Sequence, residues 1–133
     1  MDSALNQCKD RPIAYFCAEY ALEPNLPTYA GGLGVLAGDY IREAADQNIP
    51  LVGVGLLYHC NHSFHSAKFD LVKDDQGNPL QIDVPIQDKK IKVHVWIYMV
   101  GSLPLYLLDT DVDENDPADR QITHTLYVTD KET

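Results

Sequence analysis

The feature that most constrains the fold is a glycine-dense stretch set between two short apolar runs. Thr28-Tyr29-Ala30-Gly31-Gly32-Leu33-Gly34-Val35-Leu36-Ala37-Gly38-Asp39 follows Ile13-Ala14-Tyr15-Phe16-Cys17-Ala18 and precedes Leu51-Val52-Gly53-Val54-Gly55-Leu56-Leu57-Tyr58. The first run is apolar on both alternating faces, the pattern of a strand covered on both sides, so a buried central strand is expected. From Val35 to about Gln47, Ala37, Ile41 and Ala44 recur at helical spacing, and Arg42 and Asp46 can pair on the outer face. This spacing predicts a helix of about three turns. Asn48 and Pro50 stop it, and Leu51 to Tyr58 reads as a second buried strand. A strand, helix, strand unit packs with parallel strands and a right-handed crossover. Gly53 and Gly55 share one face of their strand and leave room there for another segment to come close.

The rest of the chain has a different pattern. Ile91, Val93, Val95, Ile97 and Met99 alternate, Gly101-Ser102 suits a tight hairpin turn, and Leu103 to Leu108 would return antiparallel. Asp74-Asp75-Gln76-Gly77-Asn78 is a turn signal, and Asp109 to Asp119 reads as a solvated acidic loop. The expected class is α/β, a β-α-β unit followed by antiparallel hairpins in a mixed sheet. With 133 residues and 45% hydrophobic content, one domain with a modest core is the natural expectation. A net charge of −10 and scattered basic residues argue against nucleic-acid binding, which needs clustered Lys and Arg. Met1-Asp2-Ser3 is followed by no apolar signal region, and no apolar run approaches a membrane span. A soluble, cytoplasmic protein is expected, with Cys8, Cys17 and Cys60 as reduced thiols, because their spacing gives no Cys-x-x-Cys pair.

Four groups of residues could carry chemistry. The glycine stretch is the first: without Cβ atoms, Gly31, Gly32 and Gly34 allow positive φ and close approach to a ligand, and the first amides of the following helix lack intrahelical acceptors. A phosphate or sugar hydroxyl there would receive several N–H bonds. The alternative is a loop whose glycines serve only tight packing. Gly32-Leu33-Gly34-Val35-Leu36-Ala37 also matches the dinucleotide fingerprint as a string, but the context fails. A long loop separates these glycines from Tyr20, and His59 stands where an acidic ribose ligand would end the second strand.

The second group, Asp109 to Arg120, begins like a calcium loop, yet Glu114 replaces the turn glycine and Arg120 replaces the bidentate Glu. The third holds His59, Cys60, His62 and His65, weak candidates for a zinc or copper site; the alternative is a polar strand end and loop. No other metal site is expected. The fourth is Glu19 with Tyr20 and Asp39. Glu19 falls at the C-terminal end of the first strand, where open α/β sheets bind ligands, and would orient a water or sugar hydroxyl, or else face solvent or cap a backbone amide.

Three ordered blocks carry a resemblance. They are Ile13 to Leu22, Leu26 to Asp39 and Pro50 to Tyr58, supported further on by Pro104 to Asp111, Asp119 to Thr123 and Leu126-Tyr127. Together they resemble the N-terminal region of the α-glucan (glycogen, starch and maltodextrin) phosphorylases, in particular the short bacterial type. Cys17 stands where that family usually has serine, and Val128-Thr129 replaces a glycine pair. The resemblance implies a partial Rossmann-like unit, the N-terminal domain of the GT-B glycosyltransferase fold. It divides the chain into a polar leader, 1–11, and an incomplete N-terminal part of the phosphorylase domain, 12–133.

The family is one of transferases in carbohydrate metabolism that cleave α-1,4-glucans with phosphate to give glucose 1-phosphate, using pyridoxal phosphate. By resemblance, Gly31, Gly32, Leu33, Gly34 and Glu19 lie at the substrate site. The cofactor lysine and the phosphate-gripping basic residues belong to a C-terminal domain that is not in this chain. No complete catalytic set is therefore expected here, nor pyridoxal phosphate binding by the chain alone. The expected partners are an α-glucan, phosphate or glucose 1-phosphate, the rest of a phosphorylase chain and further copies of itself, with no nucleic acid and no membrane. The competing class is a non-catalytic carbohydrate-binding or interaction module that kept the fold.

Overall fold

A computed structural model describes residues 11–23, 31–58 and 69–124. In chain order the elements are β1 (Ile13–Phe16), α1 (Gly32–Asp46), β2 (Leu51–Leu56), β3 (Asp70–Leu71), β4 (Gln81–Ile86), β5 (Lys89–Val100), β6 (Leu103–Asp109) and the short α2 (Pro117–Arg120). They build a six-stranded mixed sheet in the order β1-β2-β6-β5-β3, with β4 also paired to β5. β1, β2 and β6 are parallel. The β5–β6 hairpin is antiparallel and turns through Gly101 at φ +61, so the strand, helix, strand unit and the two-residue hairpin both form as their residues require. On the outer side of β5, β3 and β4 pair with its two ends. Between them the chain makes an excursion in which the Asp74 carboxylate accepts from the amides of Gln76 (2.9 Å) and Asn78 (3.0 Å) and Gly77 takes φ +84.

The strand registers sort the side chains into two faces. Tyr15, Leu51, Gly53, Gly55, Leu103, Leu105, Leu107, Trp96, Tyr98 and Val100 share the face that packs with Ala37, Ile41 and Ala44 of α1, and the main core lies between them. Phe16, Val54, Leu56, Tyr106, Leu108, Ile97 and Met99 occupy the opposite face.

Five sequence expectations change. β1 is an edge strand rather than a buried central one: among the described residues only β2 pairs with it, and Phe16 is 73% exposed. Its apolar composition shows what it can bury, and α1 covers only one side. The helix begins at Gly32, three residues before Val35, and runs for 15 residues. Gly32 and Gly34 are thus in its first turn, and Gly31, the residue before it, is extended at φ −164. Among the described glycines only Gly77 and Gly101 have positive φ, so the glycine stretch is used for close approach and not for left-handed backbone. Arg42 pairs with Asp39 at 3.6 Å, one turn back, and also donates to the Leu22 carbonyl, so its place is on the loop side of the helix rather than beside Asp46.

The acidic segment after β6 is also less solvated than its composition suggests. Asp109 is buried and accepts from the Trp96 indole at 3.2 Å and the Asp111 amide at 2.9 Å. Arg120 is held by Asp111 at 2.7 Å and lies 3.8 Å from Asp113, while Lys89 bridges Asp116 and Asp119. The cation at the position of the calcium loop's last ligand therefore neutralises the carboxylates itself, which is incompatible with a calcium site. Asn115 takes over where β6 ends. Its side chain accepts from the Lys92 amide (2.9 Å) and donates to the carbonyls of Lys92 and Thr110 (both 2.7 Å), which continues the pairing of β5 with a side-chain amide. Thr110 and Thr123 exchange amide-to-hydroxyl bonds of 3.1 and 3.2 Å in the interior and close the segment.

Candidate functional site at the helix start

The C-terminal ends of the parallel strands meet the N-terminal end of α1 at Glu19, Tyr20 and Ala21. After β1 the chain stays beside β2, with the Cys17 amide donating to the Val54 carbonyl (3.1 Å) and the Tyr58 hydroxyl donating to the Ala18 carbonyl (2.5 Å). Glu19 then turns inward and is only 1% exposed. Its Oε2 accepts the Gly31 amide at 2.7 Å, a charge-assisted bond to the residue that opens the helix. The first turn of α1 has no acidic residue of its own, and its N-cap, Gly31, has no side chain to cap it. A carboxylate from outside the helix therefore supplies the negative charge that the helix dipole favours at this end.

Of the residues singled out in sequence, Glu19, Tyr20 and Gly31 to Gly34 come together. Glu19 adopts the amide-capping alternative. Gly34 is buried; its carbonyl accepts from the Ala21 amide at 2.8 Å and its amide reaches the Gly31 carbonyl at 3.1 Å. Gly32 and Leu33 are exposed, and a Cβ on Gly32 would meet nothing within 4 Å among the described residues. Their amides are among the first of the helix, which have no intrahelical acceptor. Asp39 does not join the group, since it is exposed and paired with Arg42. His59, Cys60, His62 and His65 lie outside the described residues. Among the described residues no cluster of His, Cys, Asp and Glu is suited to a metal ion.

Two features of the site lay outside the sequence reading. One is Gly38: a Cβ there would fall 2.1 Å from the Ala21 carbonyl oxygen, so glycine is what lets the helix touch the segment after β1. The signal for it is the spacing of Gly34 and Gly38, four apart and therefore on one helix face. The other is the occupant of the gap at Gly53 and Gly55. Tyr20 fills it over Gly55 and shares it with Leu105 over Gly53; the tyrosine is fully buried, with its hydroxyl 2.9 Å from the Tyr15 carbonyl and 3.1 Å from the Val54 carbonyl. Burial above all, then the neighbouring Cys17, pushes its phenol well above the ordinary tyrosine range.

On the open face, Phe16, Cys17, Ala18, Val54, Gly55, Leu56 and Leu108 line a shallow apolar depression of about 230 Å³ at the same end of the parallel strands. Among the described residues, no helix is long and apolar enough to cross a membrane.

No family model matches the chain. Curated proteins do. A maltodextrin phosphorylase of Thermococcus litoralis is 38% identical over 138 positions, covering 89% of this chain and 16% of that protein. A glycogen phosphorylase of Aquifex aeolicus is 38% identical over 140 positions, with 92% and 20% covered. A glycogen phosphorylase of Mycobacterium tuberculosis is 35% identical over 139 positions, with 90% and 16% covered. The chain thus spans only 16 to 20% of the length of these relatives. Over about nine-tenths of its length, it is homologous to a segment of the glycogen and maltodextrin phosphorylases.

Proposed function

We propose that the chain is the N-terminal part of an α-1,4-glucan phosphorylase, residues 12–133 forming an incomplete domain. In this reading it supplies a sugar and phosphate subsite and does not catalyse phosphorolysis alone. The observation that carries the reading is the helix start. Glu19 holds Gly31 at 2.7 Å, and among the described residues nothing lies within 4 Å of where a Gly32 Cβ would stand, which supports a reading in which the next amides serve an anionic sugar ligand. The names of the relatives support the substrate class, glucan with phosphate or glucose 1-phosphate.

Of the four lysines among the described residues, two are poorly suited to hold pyridoxal phosphate. A Schiff-base lysine must give up its proton, whereas Lys89 is held more firmly protonated by Asp119 and Asp116 and Lys92 pairs with Asp83 at 2.9 Å. Arg42 and Arg120 are likewise engaged by carboxylates. The cations that a phosphorolytic site needs would come from elsewhere in a phosphorylase-length chain. The open apolar face around Phe16 is where that remainder would pack, and in the isolated cytoplasmic chain it would drive self-association.

Titration of the labelled chain with glucose 1-phosphate, phosphate and maltooligosaccharide tests the reading. Shifts at the Gly32 and Leu33 amides are expected, with no glucose 1-phosphate released from glycogen and no Schiff-base absorbance with pyridoxal phosphate. Release of product by the chain alone would overturn the claim of inactivity, and unshifted amides would overturn the subsite. Gly32→Ala should weaken glucose 1-phosphate binding about tenfold by filling the approach, without loss of stability, because alanine favours a helix by up to about 1 kcal/mol over glycine.

A further inference from the structure

We propose that Tyr20 is a positioning residue whose ring, seated on β2, sets where the first turn of α1 stands and hence where the Gly32 and Leu33 amides point. For its ligand this rests on the sugar-phosphate reading of the helix start; for its geometry it does not.

The ring is fixed from two sides. A Cβ on Gly55 would lie 2.7 Å from Tyr20 Cε2, so Gly55 makes a seat that a larger residue would close, while at Gly53 a Cβ would be in ordinary contact with the hydroxyl at 3.6 Å and would press instead on Leu105. The hydroxyl sits between carbonyls of β1 and β2, at Tyr15 and Val54, and its proton can serve either. Tyr20 is thereby registered to both parallel strands.

The residues on either side of Tyr20 hold the helix. Glu19 takes the Gly31 amide, the Ala21 amide donates to the Gly34 carbonyl, and the Ala21 carbonyl rests against Gly38. One segment of three residues therefore touches the helix at residues 31, 34 and 38, enough to fix both its rotation and its height above the sheet. Binding groups must be held within about 0.5 Å to be effective, so movement of the ring would be felt at the helix amides.

The test uses the 15N-labelled chain with Gly55→Ala, which crowds the ring, Tyr20→Leu, which empties the seat, and Tyr20→Phe, which keeps the ring. Hydrogen exchange at Gly31 reads the Glu19 bond without any ligand. In the first two variants it should quicken at least about tenfold while exchange in the β5–β6 hairpin stays as in the parent, and glucose 1-phosphate affinity should fall by a similar factor. Tyr20→Phe should keep most of the Gly31 protection. If Gly55→Ala does not fold, Tyr20→Leu decides the matter. Parent-like Gly31 exchange beside an intact hairpin would overturn the proposal. If glucose 1-phosphate leaves Gly32 and Leu33 unshifted in the parent chain, the ligand reading fails, and Gly31 exchange still decides the role of Tyr20.

Discussion

The two faces of one sheet are built from equally apolar strands and meet different fates. On the α1 side, Leu51, Leu103, Leu105 and Leu107 are buried against Tyr20, Ala37 and Ile41. On the other side Ile91, Val93 and Val95 of β5 are buried, but over the parallel strands Phe16 is exposed, as is Met99 of β5, and Val54, Leu56 and Leu108 are half-buried around an apolar depression. A side chain of that size gains about 1.5 to 3 kcal/mol when fully buried, so the open face holds several kcal/mol of unrealised stabilisation. The covered face determines whether this chain folds; the open face determines what it meets.

The largest test of that contrast is Leu105→Ala. Leu105 has no exposed surface and fills the space over Gly53, so urea unfolding should show a loss of about 3 kcal/mol. A loss below about 1 kcal/mol would mean that the covered face is not the working core. Next is Gly38→Ala, which drives a methyl into the Ala21 carbonyl, a backbone atom that cannot swing aside. About 2 kcal/mol should be lost, with disturbance centred on Gly31 and Glu19.

A smaller effect is expected from pH. Burial raises the Tyr20 phenol above the ordinary value of 10.0, so the folded state keeps a proton that the unfolded state releases. The stability contributed is complete below the unfolded value and is lost as the pH climbs from there through the folded value. Denaturant midpoints should fall more steeply above pH 10 in the parent than in Tyr20→Phe, and parallel curves would remove Tyr20 as the cause. The smallest change in stability belongs to Phe16→Ser on the open face, under about 0.5 kcal/mol. Light scattering should nonetheless show weaker self-association, and an unchanged oligomer would shift attention to the apolar outer surface of α1 at Leu33, Leu36 and Tyr40.

The amino-acid sequence by itself determined the local elements. Apolar runs broken by Asn48 and Pro50, the alternation from Ile91 to Met99 and the Gly101-Ser102 turn dictate strand, helix, strand and hairpin through backbone and periodicity alone. The relation to the phosphorylases was legible in the same blocks, because their glycines and aromatics stand in the chain as ordered strings. Tertiary structure decided the rest. That β1 lies at an edge depends on which neighbours cover it, and its composition cannot encode this. The helix could begin at Gly32 despite glycine's poor propensity because Ala21 and Glu19 supply the bonds and the close contact that hold its first turn. Tyr20 over Gly53 and Gly55 joins residues more than thirty positions apart, and only the folded chain brings such a wedge and its seat together.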